Sequence, residues 1–595
     1  MDRVKNTSVS RFIYSVLLNV AILLISILVF IPFFEENDDT HIAMIAEGAY
    51  GNREWHLIYE NVILGKLYSF LYSIFSNVRW HTVLQYAFIF LAYVSVTYVI
   101  SKHKHGITLS LIAVLATFYE LYVSLQYTKT AAFLCGAGIL LFYEFVRDGA
   151  FLAKNKTSVL AEAGKNLKVE RAFYLVFGFI YIVYGTMLRP EGLLFALVPL
   201  CFIGLLELVR TRQILLYLVA FVPTAIVLTG VIFINNSAYK NNSEWAEFMD
   251  YNKARMQLTD YRYDILYYPD NGEKLKEIGV SENDALIIVT YQFGDDNIIT
   301  TDYMKNISDT FGKKPFTFKV IRMLWGNILE EIGRVSVELP VLICLVALLI
   351  SVIIVERSRS NSEYITDATR KFYTMIGMGI ICSAAIIYFQ YSGRWSHRLV
   401  AALFIPTIFG ICYMLDGGID SKEGQKIIFG GNFRDRSMLI LGLSLAVSIG
   451  FNVYNYTENI KEYNNVRDEY NLGKNELKHI SEDKDTLYVF DTFTFQNSFK
   501  YDVFDVNRLG EFDNFVSCGS WFMNSPITKK VCDKYGYTNP YDALINNSGN
   551  AVLIDNYYPE EKALFLSEHY DRLYKSTKTG SNNGFDEYIM EQKVD

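Results

Sequence analysis

The sequence contains no CxxC, no HExxH and no other run with metal-ligand spacing, so the common zinc and iron–sulfur motifs are excluded as a starting point. Charge is scarce as well: 20% of the 595 residues are Asp, Glu, Lys or Arg, while 51% are hydrophobic and mean hydropathy is positive. That balance is too apolar for a soluble enzyme of this size and fits a chain folded largely within a bilayer. No basic cluster alternates with stacking aromatics and the net charge is −8, which gives no sign of nucleic acid as a partner. No repeat at a solenoid period and no low-complexity linker breaks the chain. Of the seven cysteines, five lie in apolar runs and read as small core residues. Cys518 and Cys532 lie in polar sequence, where a disulfide stays open.

What is present in quantity is apolar sequence in span-sized pieces. Eleven runs qualify: 12–34, 80–101, 107–125, 130–146, 172–188, 191–209, 214–234, 339–355, 372–391, 399–415 and 438–454. A hydrocarbon core about 30 Å thick needs ~20 helical residues, so the shorter runs are near the lower limit. The first run has no small-residue cleavage site and reads as a permanent helix rather than a signal peptide. With the N-terminus on the cytoplasmic side, 21 Lys and Arg fall in the segments assigned to that side, against seven in the short loops of the other. The positive-inside rule sets the orientation accordingly. The expected architecture is an α-helical polytopic membrane protein of about 11 transmembrane helices. A transmembrane domain, 1–455, carries outer loops 35–79 and 236–337. An extracytoplasmic α/β domain, 456–595, opens on a charged helical stretch and continues through strand-like runs at 486–490, 551–555 and 587–591. Residues 57–76 are amphipathic and read as a helix lying in the outer interface. The 43 Tyr and 42 Phe suit bilayer interfaces and sugar-binding surfaces.

This topology sorts the unusual charges onto one face. Asp38 and Asp39 follow the first span within the acidic run Glu35-Glu36-Asn37-Asp38-Asp39, and Glu120 lies just inside the outer end of the third. Lys129 sits in the next outer turn, Arg189 and Glu191 in the turn LRPEG (188–192), and Arg394, His397 and Arg398 in the turn before the tenth span. Arg255 and Asp260 lie in the large outer loop, as acceptor ligands or as a local ion pair. Carboxylates and guanidiniums close to a bilayer are costly unless they are paired or functional. A lipid phosphate calls for Arg, whose planar fork matches two phosphate oxygens. A hydroxyl attacking a sugar C1 needs a carboxylate within about 3 Å to take its proton. A phosphate leaving group needs cations rather than an acid. One acidic pair with a basic clamp is the inventory for moving a sugar off a lipid phosphate.

An acidic pair directly after the first span, followed by a helix in the first outer loop, resembles the type C glycosyltransferases (the GT-C superfamily), and LRPEG resembles an Arg-containing outer turn of bacterial members. The segments YNKARMQLTDY (251–261) and GSWFMNSP (519–526) are similar to features of multispanning bacterial envelope proteins. The resemblance implies a bacterial cytoplasmic-membrane enzyme that takes a sugar from a polyprenyl-phosphate sugar at the extracytoplasmic face. The sugar would pass to an envelope glycan or lipid-linked acceptor, with inversion. Asp38 takes the position of the family's base and Asp39 stands where a Glu is usual. Arg189, Arg394, Arg398 and Lys129 become the phosphate ligands, with Glu120, Glu191, His397 and Arg255 around them. No cofactor is implied with certainty; a divalent metal stays open, with Asp39 and His41 as ligands on offer. A polymerase of diphosphate-linked repeat units would share the spans and arginines but not the acidic pair. A lipid or glycan transporter would carry mid-bilayer charges and paired halves, which are not found here.

Overall fold

The computed structural model describes residues 2–593 apart from 104, 155–160, 313, 315, 319–321, 323–337, 358–361 and 416–432. Lys104, Lys156, Arg359, Lys422 and Lys426 of the charge comparison, and the end of the 236–337 loop, lie outside the described residues. Each of the eleven apolar runs carries a helix. Among the described residues, ten helices are long and apolar enough to cross a membrane. The run at 339–355 lies in the Glu338–Arg357 helix, whose apolar part, Leu339–Ile354, is shorter. The protein is thus an integral membrane protein built on a helical bundle.

The bundle is organised around the Tyr127–Lys154 helix, whose apolar window is wholly buried by its neighbours. Close packing there depends on glycine. A Cβ on Gly138 would stand 2.6 Å from the Gly178 carbonyl, so the Ala161–Leu188 helix approaches backbone to backbone. The first helix, Asp2–Leu28, ends earlier than its apolar run, and Phe33–Phe34 form a short strand, β1. This strand pairs in parallel with β2, Ser124–Leu125, and clips the exit of the first membrane helix to that of the third. The third helix itself widens into a π-helical turn, Tyr119–Val123, which carries Glu120.

Sequence reasoning placed one helix in the first loop; the structure has two. Residues Asn37–Glu47 form a helix buried from Asp38 onward, closed by Gly48 in the left-handed conformation. The amphipathic stretch becomes Val62–Ile74, with Tyr68 and Tyr72 buried. Both members of the acidic pair are therefore buried in the first turn of this helix.

The last span does not end at residue 455. It continues unbroken into the charged stretch as one helix, Phe433–Glu482, and delivers the chain to a five-stranded sheet. Its strands are β3 (Leu487–Phe490), β4 (Phe515–Ser517), β5 (Ala551–Ile554), β6 (Tyr574–Asn582) and β7 (Phe585–Gln592), in the order β4-β3-β5-β7-β6. The first three are parallel and buried; β7 and β6 add an antiparallel hairpin edge. Cys518 and Cys532 are buried free thiols rather than a disulfide.

The sheet domain packs on the loops that follow the first and seventh membrane helices. Phe512 N–H donates to the Ala49 carbonyl at 2.8 Å, and Thr82 Oγ1 donates to that of Val503 at 2.7 Å. A buried bidentate pair, Arg79 Nε to Glu47 Oε1 at 2.8 Å and Nη2 to Oε2 at 3.1 Å, is capped by Asn507 N–H on Glu47 Oε2 at 3.1 Å. Gly294 N–H meets the Cys518 carbonyl, and a Cβ on Gly519 would collide with the Tyr291 carbonyl at 1.4 Å. Only glycine permits this approach. The three polar segments thus form one cover over one end of the bundle.

Candidate active site

Two short elements position the acidic run. The β1–β2 clip fixes Glu35, whose N–H donates to the Leu125 carbonyl at 3.1 Å. The Asn37–Glu47 helix then starts with Asp38 and Asp39 in its first turn, where the helix dipole favours negative charge. Consecutive helical residues diverge by about 100°, and the two carboxylates part company accordingly.

Asp39 is fully buried. Its oxygens accept from the Tyr127 N–H at 3.1 and 3.2 Å and from Gln85 Nε2 at 3.2 Å, and His81 Nε2 lies 3.9 Å away, itself 2.9 Å from Glu60. Asp39 therefore ties its helix to the start of the bundle's central helix. Burial pushes its carboxyl up to about 7, against the opposing pull of His81, Gln85 and the Tyr127 amide. This sets a pH dependence. Below the ordinary value of 3.8 both folded and unfolded chains hold the proton. As pH climbs from there to about 7, the unfolded chain ionises first and stability is lost; above that window the loss levels off. Asp39→Asn is expected to remove that decline from the melting temperature of the solubilised protein. A variant that declines across pH 4–7 as the wild type does would exclude Asp39 as the titrating group.

Asp38 faces the other way. Its Oδ2 accepts from Arg398 Nη1 at 3.0 Å, and Arg398 Nε lies 3.8 Å from Glu36 Oε1. Beside them Arg189 is held between two rings, its guanidinium carbon 5.2 Å from the centroid of Tyr59 and 5.5 Å from that of Tyr127. Arg189 Nη1 donates to the Tyr127 hydroxyl at 2.9 Å, and Nε lies 3.0 Å from the half-exposed Glu191. Pro190, at the first position of the next helix, leaves Arg189 extended at the turn.

The other predicted residues fall into two neighbouring groups. Lys129 Nζ sits between Glu35 Oε2 at 2.6 Å and Glu120 Oε2 at 2.7 Å, and His397 bridges the same two carboxylates at 3.0 and 3.5 Å. Burial pushes the Glu35 carboxyl up, but Lys129 and His397 outweigh it and hold it below the usual range. Arg255 and Arg394 share Asp260, at 3.2 and 3.3 Å, and Arg255 Nη2 reaches the Tyr59 hydroxyl at 3.3 Å. Burial pushes Asp260 up as well, and the two arginines outweigh it. The loop ion pair is thus real, and Arg394 extends it across to the bundle.

The structure does not bring Asp39 and His41 together as metal ligands. His41 stacks on Phe495, centroids 4.9 Å apart, and its Nδ1 lies 3.0 Å from the Tyr50 hydroxyl, so burial pushes its pKa down to about 3. The acid–histidine trio that does converge here is Glu35, Glu120 and His397, with ligating atoms within 4.8 Å of one another. The Lys129 ammonium already contacts both of its carboxylates. Sequence reasoning did not single out Glu35, Tyr59 or Tyr127. Glu35 was visible in the acidic run, whereas the tyrosines carried no signal among 43.

Fold and site together define a multispanning helical membrane protein with a carboxylate–guanidinium centre beneath its loop face. No protein-family model matches the chain, and no curated protein matches it either. Among solved structures it is similar to the crystal structure of ArnT from Cupriavidus metallidurans bound to undecaprenyl phosphate, with 97% of each chain covered, 12% identity and a TM-score of 0.35.

Proposed function

We propose that the protein is an inverting, GT-C-like glycosyltransferase. It takes a sugar from a polyprenyl-phosphate sugar and passes it to an envelope glycan or lipid-linked acceptor at the extracytoplasmic face. The observation that carries this reading is the 3.0 Å contact between Asp38 and Arg398, beside Arg189, beneath the loop cover. With Oδ2 turned to Arg398, Asp38 Oδ1 takes the proton of the acceptor hydroxyl as its oxygen attacks C1 of the donor sugar. The C1–O bond to phosphate breaks, and polyprenyl phosphate leaves with the bonding electrons. Arg398 and Arg189 spread the charge that develops on it. A single displacement inverts C1.

Donor binding tests the clamp, with undecaprenyl phosphate as the probe. Arg189→Ala is expected to weaken binding by about 10- to 100-fold, as when hydrogen bonds to a charged group are lost. Arg189→Lys should fall between, because lysine keeps the charge without the fork. Equal affinity in all three proteins would remove Arg189 from the phosphate site.

Orientation has its own test. A cysteine replacing the exposed Asp571 of the sheet domain should react with an impermeant thiol reagent in intact cells, and one replacing the exposed Lys168 should not. The native Cys518 and Cys532 are buried, so they add little background. The reverse labelling pattern would place the site on the cytoplasmic side.

A further inference from the structure

The segment GSWFMNSP, residues 519–526, has no part in the chemistry above, yet it is built against ordinary folding preferences. Gly519 is pressed onto the Tyr291 carbonyl, and the chain then turns through Ser520 at φ 87° and Asn524 at φ 64°. For Ser520 this conformation costs roughly 1–3 kcal/mol. Three polar side-chain atoms of this segment are buried without a hydrogen-bond partner among the described residues: Ser520 Oγ, Trp521 Nε1 and Ser525 Oγ. A single such group is uncommon, and a run of three in six residues is a concentration that a merely structural turn would shed.

The position is as informative as the strain. The Trp521 ring lies 4.7 Å from that of Tyr59, whose other neighbours are Arg189 over its ring and Arg255 on its hydroxyl. His41, one helical turn beyond Asp38 on the same helix, packs on Phe522 at 5.1 Å and Trp521 at 6.5 Å, and its Nε2 is also buried without a partner. Residues three apart share a helix face, so the carboxylate and this aromatic–polar wall are adjacent. Aromatic faces beside unspent donors suit a ligand with C–H faces and ringed hydroxyls, which is a sugar.

Resting on the glycosyl-transfer reading above, we propose that residues 519–526 and Tyr59 form a subsite for a sugar ring, one aromatic ring away from Arg189. The ring belongs to the donor or to the acceptor; the chemistry of recognition is the same.

The test uses the full-length protein in detergent. Saturation-transfer NMR with methyl glycosides of glucose, galactose, mannose and N-acetylglucosamine reads binding without requiring turnover. At least one glycoside is expected to bind. Trp521→Phe, which keeps an aromatic ring and loses the N–H, should weaken it about fivefold. Ser520→Gly should weaken it too while leaving the melting temperature equal or higher, because glycine relieves the positive φ. Loss of binding with gain of stability is a signature that a structural turn does not give. If undecaprenyl-phosphate glucose displaces the free glycoside and undecaprenyl phosphate alone does not, the subsite holds the donor sugar. If the glycoside binds alongside undecaprenyl-phosphate glucose, it holds the acceptor. Absence of binding by every glycoside, or equal binding in both variants, overturns the proposal. That failure is separable from failure of the transferase reading, because glycoside binding is read without turnover, whereas the transferase reading stands or falls on the loss of transfer in Asp38→Asn.

Discussion

Asp38→Asn is expected to lower sugar transfer by about 10²- to 10⁴-fold, the contribution of general-base catalysis, with undecaprenyl phosphate still bound. Asparagine keeps the size and can still accept from Arg398, but it cannot take the acceptor's proton. The substitution also frees Arg398 from the carboxylate that it contacts at 3.0 Å, so affinity for an anionic lipid should stay level or rise. Assaying transfer and lipid binding on the same preparation separates a lost base from a misfolded site. The neighbour is the control. Asp39 spends its oxygens on the Tyr127 amide and Gln85, so Asp39→Asn should move stability more than it moves the donor affinity. Full transfer activity in Asp38→Asn would end the assignment of the base. Loss of transfer in Asp39→Asn with Asp38→Asn active would exchange the two roles.

Much of the architecture was legible because a bilayer imposes a one-dimensional rule on sequence. An apolar run of span length must be a helix that satisfies its own backbone, and each of the eleven runs carries one. The buried strands 487–490 and 551–554 were legible for a related reason, as short β-rich apolar runs between polar segments. The domain boundary expected at residue 455 falls within a continuous helix, because a helix leaving a membrane needs no sequence signal to continue into water when its next residues are polar and helix-compatible. The acidic pair was legible as a feature but not as two roles. One helical step sends Asp38 toward Arg398 and Asp39 into the bundle, and only the packed neighbours decide which oxygen meets solvent. Arg189, Arg398 and Asp38 came together as the charge pattern implied. Lys129, Glu120 and His397 instead closed a network around Glu35. The partition between these groups depends on the β1–β2 clip, a two-residue pairing too short to be read from sequence.

That second network sets the other large expected effect, on stability. Lys129 is buried between two carboxylates, and its removal leaves Glu35 and Glu120 facing His397, which contacts both. Lys129→Met is close in length and apolar, so it deletes the charge with little change in packing. The cost of breaking a buried ionic network by removing one partner is about 3–5 kcal/mol, enough to lower the melting temperature sharply. Two rescues follow from the geometry. Adding Glu120→Gln to Lys129→Met removes one of the uncompensated charges and should recover part of the loss. In Lys129→Met alone, Glu35, Glu120 and His397 are left as two carboxylates and an imidazole with ligating atoms within 4.8 Å, a donor set that suits a divalent ion such as zinc. Zinc should therefore raise the melting temperature of Lys129→Met more than that of the wild type, where the ammonium contacts the same oxygens at 2.6 and 2.7 Å. A Lys129→Met protein that melts with the wild type would mean that the network contributes nothing to the fold. Equal stabilisation of both proteins by zinc would place any cation elsewhere and leave Lys129 as a structural charge only.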